Sequence, residues 1–187
     1  MAREQTGLME SVKRGVVAAI KGAGDAASTA VEAVSQTVAT TVEGIGDIAT
    51  SLVNTTSAVA EGTIHAVKEV GGDLGSAAQG VVLGVLRGTK QAGAATLETI
   101  GYTAGSFIKS TAEVGGDLGT AAKGLVEGAI TGAKELGLDT MEAASAAATG
   151  ALKAAGEIGA EAGTKVRNAL TGTIAGVKVV FKEPFKQ

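Results

Sequence analysis

Gly71-Gly72-Asp73-Leu74-Gly75 returns 44 residues later as Gly115-Gly116-Asp117-Leu118-Gly119 and, blurred, after another 44 as Gly159-Ala160-Glu161-Ala162-Gly163. Residues 71–114 overlay 115–158 without a gap and agree at 18 of 44 positions, among them Gly84/Gly128, Gly88/Gly132, Lys90/Lys134 and Glu98/Glu142. An internal repeat of this kind governs the architecture before any local feature does. Because 44 is four elevens, the deeper unit reads as 11 residues, three helical turns at about 3.67 residues per turn.

Counted from Val16, the fifth position of the unit reads Ile20, Val31, Val42, Val53, Ile64, Gly75, Leu86, Leu97, Ile108, Gly119, Ile130, Met141, Leu152, Gly163 and Ile174. The eleventh position never carries a charge. On a helix these two, with positions one, four and eight, close into an apolar arc of about 130°. Val42, Val53, Ile64, Leu86, Leu97, Ile108, Ile130, Leu152 and Ile174 mark this stripe. Alternation of two is lacking, so helix is predicted over 16–180. Within that region the 44-residue repeats fall at 27–70 (weak), 71–114, 115–158 and 159–180 (partial). Residues 1–15 form a polar lead-in. Residues 181–187 form a tail, where Pro184 stops the helix and Phe181 and Phe185 are expected to cover a helix end, with a docking motif for a partner as the alternative.

Charges avoid the stripe. Position nine carries Lys68, Lys90, Lys123, Lys134, Arg167 and Lys178, a basic flank without an acid; position ten carries Asp25, Asp47, Glu69, Glu113, Glu135 and Glu157 without a base. Either the polar face is simply solvated and laced with intrahelical pairs, or the basic flank of one helix meets the acidic flank of the next.

Two all-α architectures fit. In one, Gly71 ends a helix and Asp73 caps another, giving a hairpin or bundle of a few helices of about 40–80 residues. In the other, one very long amphipathic helix runs through, and Gly71, Gly75, Gly115, Gly119, Gly159 and Gly163 mark close approaches or hinges, as in small-xxx-small packing. The eleven-residue phase survives both GGD sites without insertion, which favours the long helix, on the order of 250 Å over the region at 1.5 Å per residue.

Composition limits the function classes. The chain of 187 residues holds 29 Gly, one Pro, three Phe, one Tyr, no Trp and no Cys, with 45% apolar residues. It is too apolar for a disordered solvating tail, and a core must be made of Ala, Val and Ile. With a net charge of −3 and interleaved signs, no basic patch for nucleic acid is expected. No charge-free run reaches the roughly 18 residues of a spanning helix, and no signal peptide is read at the N-terminus. His65 stands alone on the polar face, and no cluster of metal ligands or acid/base pair is present in the pattern. No enzyme activity and no cofactor are expected.

Units such as Val42-Glu43-Gly44-Ile45, Ala60-Glu61-Gly62-Thr63 and Val126-Glu127-Gly128-Ala129 resemble the eleven-residue repeats of synucleins, exchangeable apolipoproteins and group 3 late-embryogenesis proteins. Right-handed coiled-coil stalks are similar in the same way. The resemblance implies a helix that becomes ordered on lipid or on another helix. Two functions are therefore expected. The first is a structural scaffold in which the Gly/Ala/Val stripe drives helix association into a homo-oligomeric bundle, tube or filament. The alternative is a peripheral coat on a membrane, lipid droplet or storage granule. A cytoplasmic setting, free or peripheral to a membrane or lipid body, goes with either.

Overall fold

The computed structural model describes residues 7, 9–11, 13–15, 17, 18, 31, 32, 34–39, 48–91 and 97–180. Helical residues between 7 and 18 belong to α1, and those between 31 and 39 to α2. Then follow α3 (Ile48–Val70), α4 (Leu74–Gln91), α5 (Leu97–Glu113), α6 (Leu118–Leu136), α7 (Thr140–Ile158) and α8 (Ala160–Leu170). The chain closes with two short strands, β1 (Thr173–Ile174) and β2 (Val177–Lys178). Val42 and the tail 181–187 lie outside the described residues.

No described helix approaches the length the surviving phase suggested. The longest of those whose bounds are described, α3, has 23 residues. Both the very long helix and the bundle of 40–80-residue helices are thereby overturned, and the reason lies in the opening stretch. Gly71 and Gly115 each take φ +71°, and Gly137 takes φ +73°, the left-handed conformation that ends helices and that glycine adopts without a Cβ clash. At each site the next N–H closes a Schellman bond five residues back: Gly72 to Val67 at 3.0 Å, Gly116 to Thr111 and Leu138 to Ala133 at 2.9 Å. Aspartate then starts the following helix. Asp73 Oδ1 accepts from Ser76 N–H at 2.6 Å, Asp117 from Thr120 N–H at 2.8 Å, and Asp139 from the N–H groups of Met141 and Glu142 at 2.8 Å. Each connection, three residues long or four at 114–117, thus satisfies orphan groups of both helices it joins.

The phase survives because the helix-plus-turn unit is itself two elevens. Glycine recurs at 71, 93, 115, 137 and 159, and of these 71, 115, 137 and 159 each terminate a described helix. Reversal every 22 residues leaves the count intact.

The helices stack in two layers. α4 packs most extensively on α6, and α5 on α7; α3 lies against α5, and α8 against α6 and α7. α2 meets α4 through Val31, Val34, Ser35 and Val38, and α1 meets α3 through an ion pair from Lys13 to Glu69 at 3.0 Å. One layer is therefore α2, α4, α6, α8 and the other α1, α3, α5, α7, with one 44-residue repeat supplying a helix to each. The stripe is consumed between and within these layers: Ile64, Leu86, Ile108 and Ile130 are 0–1% exposed. Leu152 and Ile174 are buried and Leu97 half-buried, whereas Val53 is 39% exposed.

The helical reading of 16–180 also ends early. After Leu170 the chain forms an antiparallel hairpin pairing Thr173 with Lys178 and Ile174 with Val177. Its two-residue turn is Ala175 (φ +48°) and Gly176 (φ +80°), the left-handed pair that two-residue hairpins require. β1 touches α6 and β2 touches α7, so the hairpin closes over the end of the array where a solenoid needs a cap.

The caps predict an acid response. Hydrogen bonds from the Ser76 side chain and N–H hold Asp73 below the usual carboxylate range, and the Thr120 N–H does the same for Asp117. A depressed folded value means the contribution is complete above the unfolded value of about 3.9 and is lost as pH falls through the folded one. Urea melts should therefore show stability falling below about pH 4. The double variant Asp73→Asn/Asp117→Asn should flatten that fall, because asparagine caps without titrating. Asp117→Ala should cost about 1 kcal/mol at neutral pH.

Candidate functional site

Among the described residues no group of three His, Cys, Asp or Glu could hold a metal ion, and no described helix is long and apolar enough to cross a membrane. His65 is exposed on α3. The chemistry that recurs in this chain is the contact between successive repeats.

That contact is built on glycine. A Cβ placed on Gly124 would fall onto the Gly75 carbonyl, and one on Gly150 onto the Gly101 carbonyl. On Gly128 it would sit 2.5 Å from the Gln79 carbonyl oxygen; on Gly84, 2.8 Å from that of Val31; on Gly88, 2.7 Å from that of Ser35. Thus α4, α6 and α7 each press a glycine face onto the backbone of their predecessor in the same layer. The offset repeats as well: Gly75 to Gly124, Gln79 to Gly128 and Gly101 to Gly150 are each 49 residues apart, as are Ser57 and Ser106, whose hydroxyls meet at 3.2 Å.

The same offset sets the ion pairs. Arg87 on α4 donates two hydrogen bonds of 2.9 Å to the Glu135 carboxylate on α6, and Lys109 on α5 reaches Glu157 on α7 at 2.7 Å. Both pairs join residues 48 apart. Lys109 holds the Glu157 carboxyl below its ordinary value by hydrogen bond and charge. The acids stand at the expected tenth position, but Arg87 and Lys109 occupy the sixth, not the ninth. Among the nine-position residues, Lys68 donates instead to the Val114 carbonyl oxygen at 3.4 Å, and Lys90, Lys123, Lys134, Arg167 and Lys178 are exposed. Sequence reading missed Arg87 and Lys109 because their partners lie 44 + 4 residues away, a spacing that becomes visible only when the repeat is combined with one helical turn.

The six glycines singled out as close approaches or hinges divide. Gly71 and Gly115 are turn residues. Gly75 and Gly119 are contacts, the first against Thr120 and the Gly124 backbone, the second with a Cβ position 3.3 Å from Ala169 Cβ. Gly159 separates α7 from α8, and Gly163 faces Gly156 across that break.

No family model matches the chain, and no curated protein matches it either. One solved structure is similar in fold. It is the crystal structure of the de novo designed helical repeat protein DHR7, with 20% sequence identity, a TM-score of 0.55, and coverage of 90% of this chain and 91% of that one. At that identity the likeness concerns the fold, and it agrees with an array of moderate helices in place of a single rod.

Two substitutions of the same kind should act with opposite sign. Gly156 is exposed on α7 with open space around its would-be Cβ, so Gly156→Ala should stabilise by up to about 1 kcal/mol through helix propensity. Gly128→Ala gains the same propensity but forces apart α4 and α6, a cost of about 1–3 kcal/mol, and urea melts should show a net loss. Thr63 gives a third case. Its buried hydroxyl lacks a hydrogen-bond partner, so Thr63→Val should raise stability by about 1 kcal/mol in the same assay.

Proposed function

We propose that the chain is a non-enzymatic structural scaffold of the helical-repeat kind, in which the Gly/Ala/Val stripe drives the packing of successive repeats. The observation that carries this reading is the recurrence of one contact pattern, with 48- and 49-residue offsets, in both layers. A scaffold needs such regularity; a catalytic site needs a local departure from it.

Assembly with further copies is proposed through the α3, α5, α7 layer. The stripe is covered within the chain, but this layer keeps Val53 at 39%, Tyr102 at 50% and Met141 at 55% exposure. Val53 and Tyr102 are 49 residues apart, the offset at which neighbours in a layer meet. The competing lipid-coat reading has less to work with, because it needs the stripe turned outward and Ile64, Leu86, Ile108 and Ile130 are buried.

Sedimentation velocity with circular dichroism, with and without anionic vesicles, separates the readings. The scaffold reading expects a cooperatively melting helical protein in lipid-free buffer, a mass above one chain that falls in Tyr102→Lys, and an unchanged spectrum on vesicles. A chain that is unfolded until vesicles are added would sink it in favour of the lipid coat. A helical monomer at every concentration would remove the assembly step.

A further inference from the structure

We infer, resting on the assembly proposed above, that copies meet by opposite faces: the outer face of the α4, α6, α8 layer of one seats on the outer face of the α3, α5, α7 layer of the next. The two faces differ in sign. Helices α4, α6 and α8 carry six bases, Arg87, Lys90, Lys123, Lys134, Lys165 and Arg167, against the acids Glu127, Glu135 and Glu161. Helices α3, α5 and α7 invert the ratio, with six acids, Glu61, Glu69, Glu98, Glu113, Glu142 and Glu157, against Lys68, Lys109 and Lys153. Glu61 and Glu127 are half-buried and all the others are exposed. The ion pairs Arg87–Glu135 and Lys165–Glu161 fall within the basic layer and Lys109–Glu157 within the acidic one, so each cancels one charge of either sign and leaves the difference between layers untouched. The described charges of α1 (Glu10, Lys13 and Arg14) and α2 (Glu32) narrow the balance to −2 against +2 and keep its direction.

The charges also share a spacing. Lys90 and Lys134 recur 44 residues apart on neighbouring helices of one face, as do Lys123 and Arg167, and Glu98 and Glu142 do the same on the other. Rows of bases and rows of acids therefore advance by the same interhelix step, about 8–10 Å, and one register opposes several of them at once. A second copy suits the basic face better than a polyanion or an anionic lipid surface does. At a net charge of −3 the whole chain is repelled by either, whereas another copy presents a face of matching pitch and opposite sign. A twofold dimer through the α3, α5, α7 layer would instead set acids against acids. Val53, Tyr102 and Met141 stand on the acidic side and supply apolar area to the contact. Exposed ion pairs add little energy each, and their part is to fix register, orientation and salt dependence. Because the two faces lie on opposite sides of the array, the contact does not close, and copies add into an open stack.

Sedimentation velocity on the full chain tests this. The mass should exceed one chain and grow with protein concentration in about 0.1 M salt. It should fall back to one chain in about 1 M, as the Debye length shrinks from about 10 to about 3 Å. Lys90→Glu/Lys123→Glu turns the first face acidic, and Glu98→Lys/Glu113→Lys turns the second basic. Each double variant alone should stay at one chain with circular dichroism still helical, and an equimolar mixture of the two should regain the wild-type mass. A wild type that assembles while either variant assembles equally well overturns the inference and leaves the scaffold reading standing on apolar contact. So does a mixture that stays at one chain, or a wild-type mass that stops at two copies. A wild type that stays at one chain under every condition overturns the assembly reading and this contact with it. If that single chain then binds anionic phospholipid vesicles and Lys90→Glu/Lys123→Glu does not, the basic face belongs to lipid.

Discussion

A backbone carbonyl can lie against a neighbouring helix only where that helix carries no Cβ, and this array depends on that contact. Gly124 on Gly75, Gly128 on Gln79 and Gly150 on Gly101 bring helices of one layer together at a separation that alanine would already widen. Small side chains can then fill the interior. Among the described residues the core is mostly alanine and valine, with Phe107 its single buried ring. Glycine weakens each isolated helix by roughly 1 kcal/mol per residue relative to alanine, so no helix here holds its shape alone. Close packing across the repeats offsets that cost, and folding is a property of the array, as in other repeat proteins.

The second constraint is the 22-residue step between reversals. Gly71, Gly115 and Gly137 end helices in the left-handed conformation, and Asp73, Asp117 and Asp139 start the next ones. From α4 to α8 the helix starts follow one another at about 22 residues, at 74, 97, 118, 140 and 160, so each layer receives a helix at intervals of about 44 residues. Any residue finds its neighbour in the layer about one repeat and one helical turn farther on. That single offset places Ser57 beside Ser106, Arg87 beside Glu135 and Lys109 beside Glu157.

Much of this was legible in the sequence and some was not, for physical reasons. The repeat, the helical class and the buried positions Ile64, Leu86, Ile108 and Ile130 follow from periodicity alone. The cap residues were visible in Gly71-Gly72-Asp73, but phase continuity pointed the other way, since a turn spaced at a multiple of 11 leaves the pattern of a continuous helix. Val53 shows the limit of the stripe: its position is apolar, yet it lies on the open side of α3. The sixth-position bases were invisible because an ion pair between helices depends on their offset, which no single helix encodes. The hairpin did leave a signal. Thr173-Ile174-Ala175-Gly176-Val177-Lys178 carries β-branched residues around a turn dipeptide, and the expectation of a helix running to 180 concealed it.

The central claim is that the chain reverses at each glycine turn and brings residues 44 apart into adjacent helices. Distance measurement between spin labels at Lys90→Cys and Lys134→Cys addresses it directly, since the chain has no other cysteine and both sites are exposed on α4 and α6. Adjacent helix axes lie about 8–10 Å apart and the four- to five-residue offset adds about 6–7 Å along the axis, so a short backbone distance of roughly 10–12 Å, widened by the label arms, is predicted. A separation near 66 Å, the length of 44 residues of unbroken helix, would contradict the account.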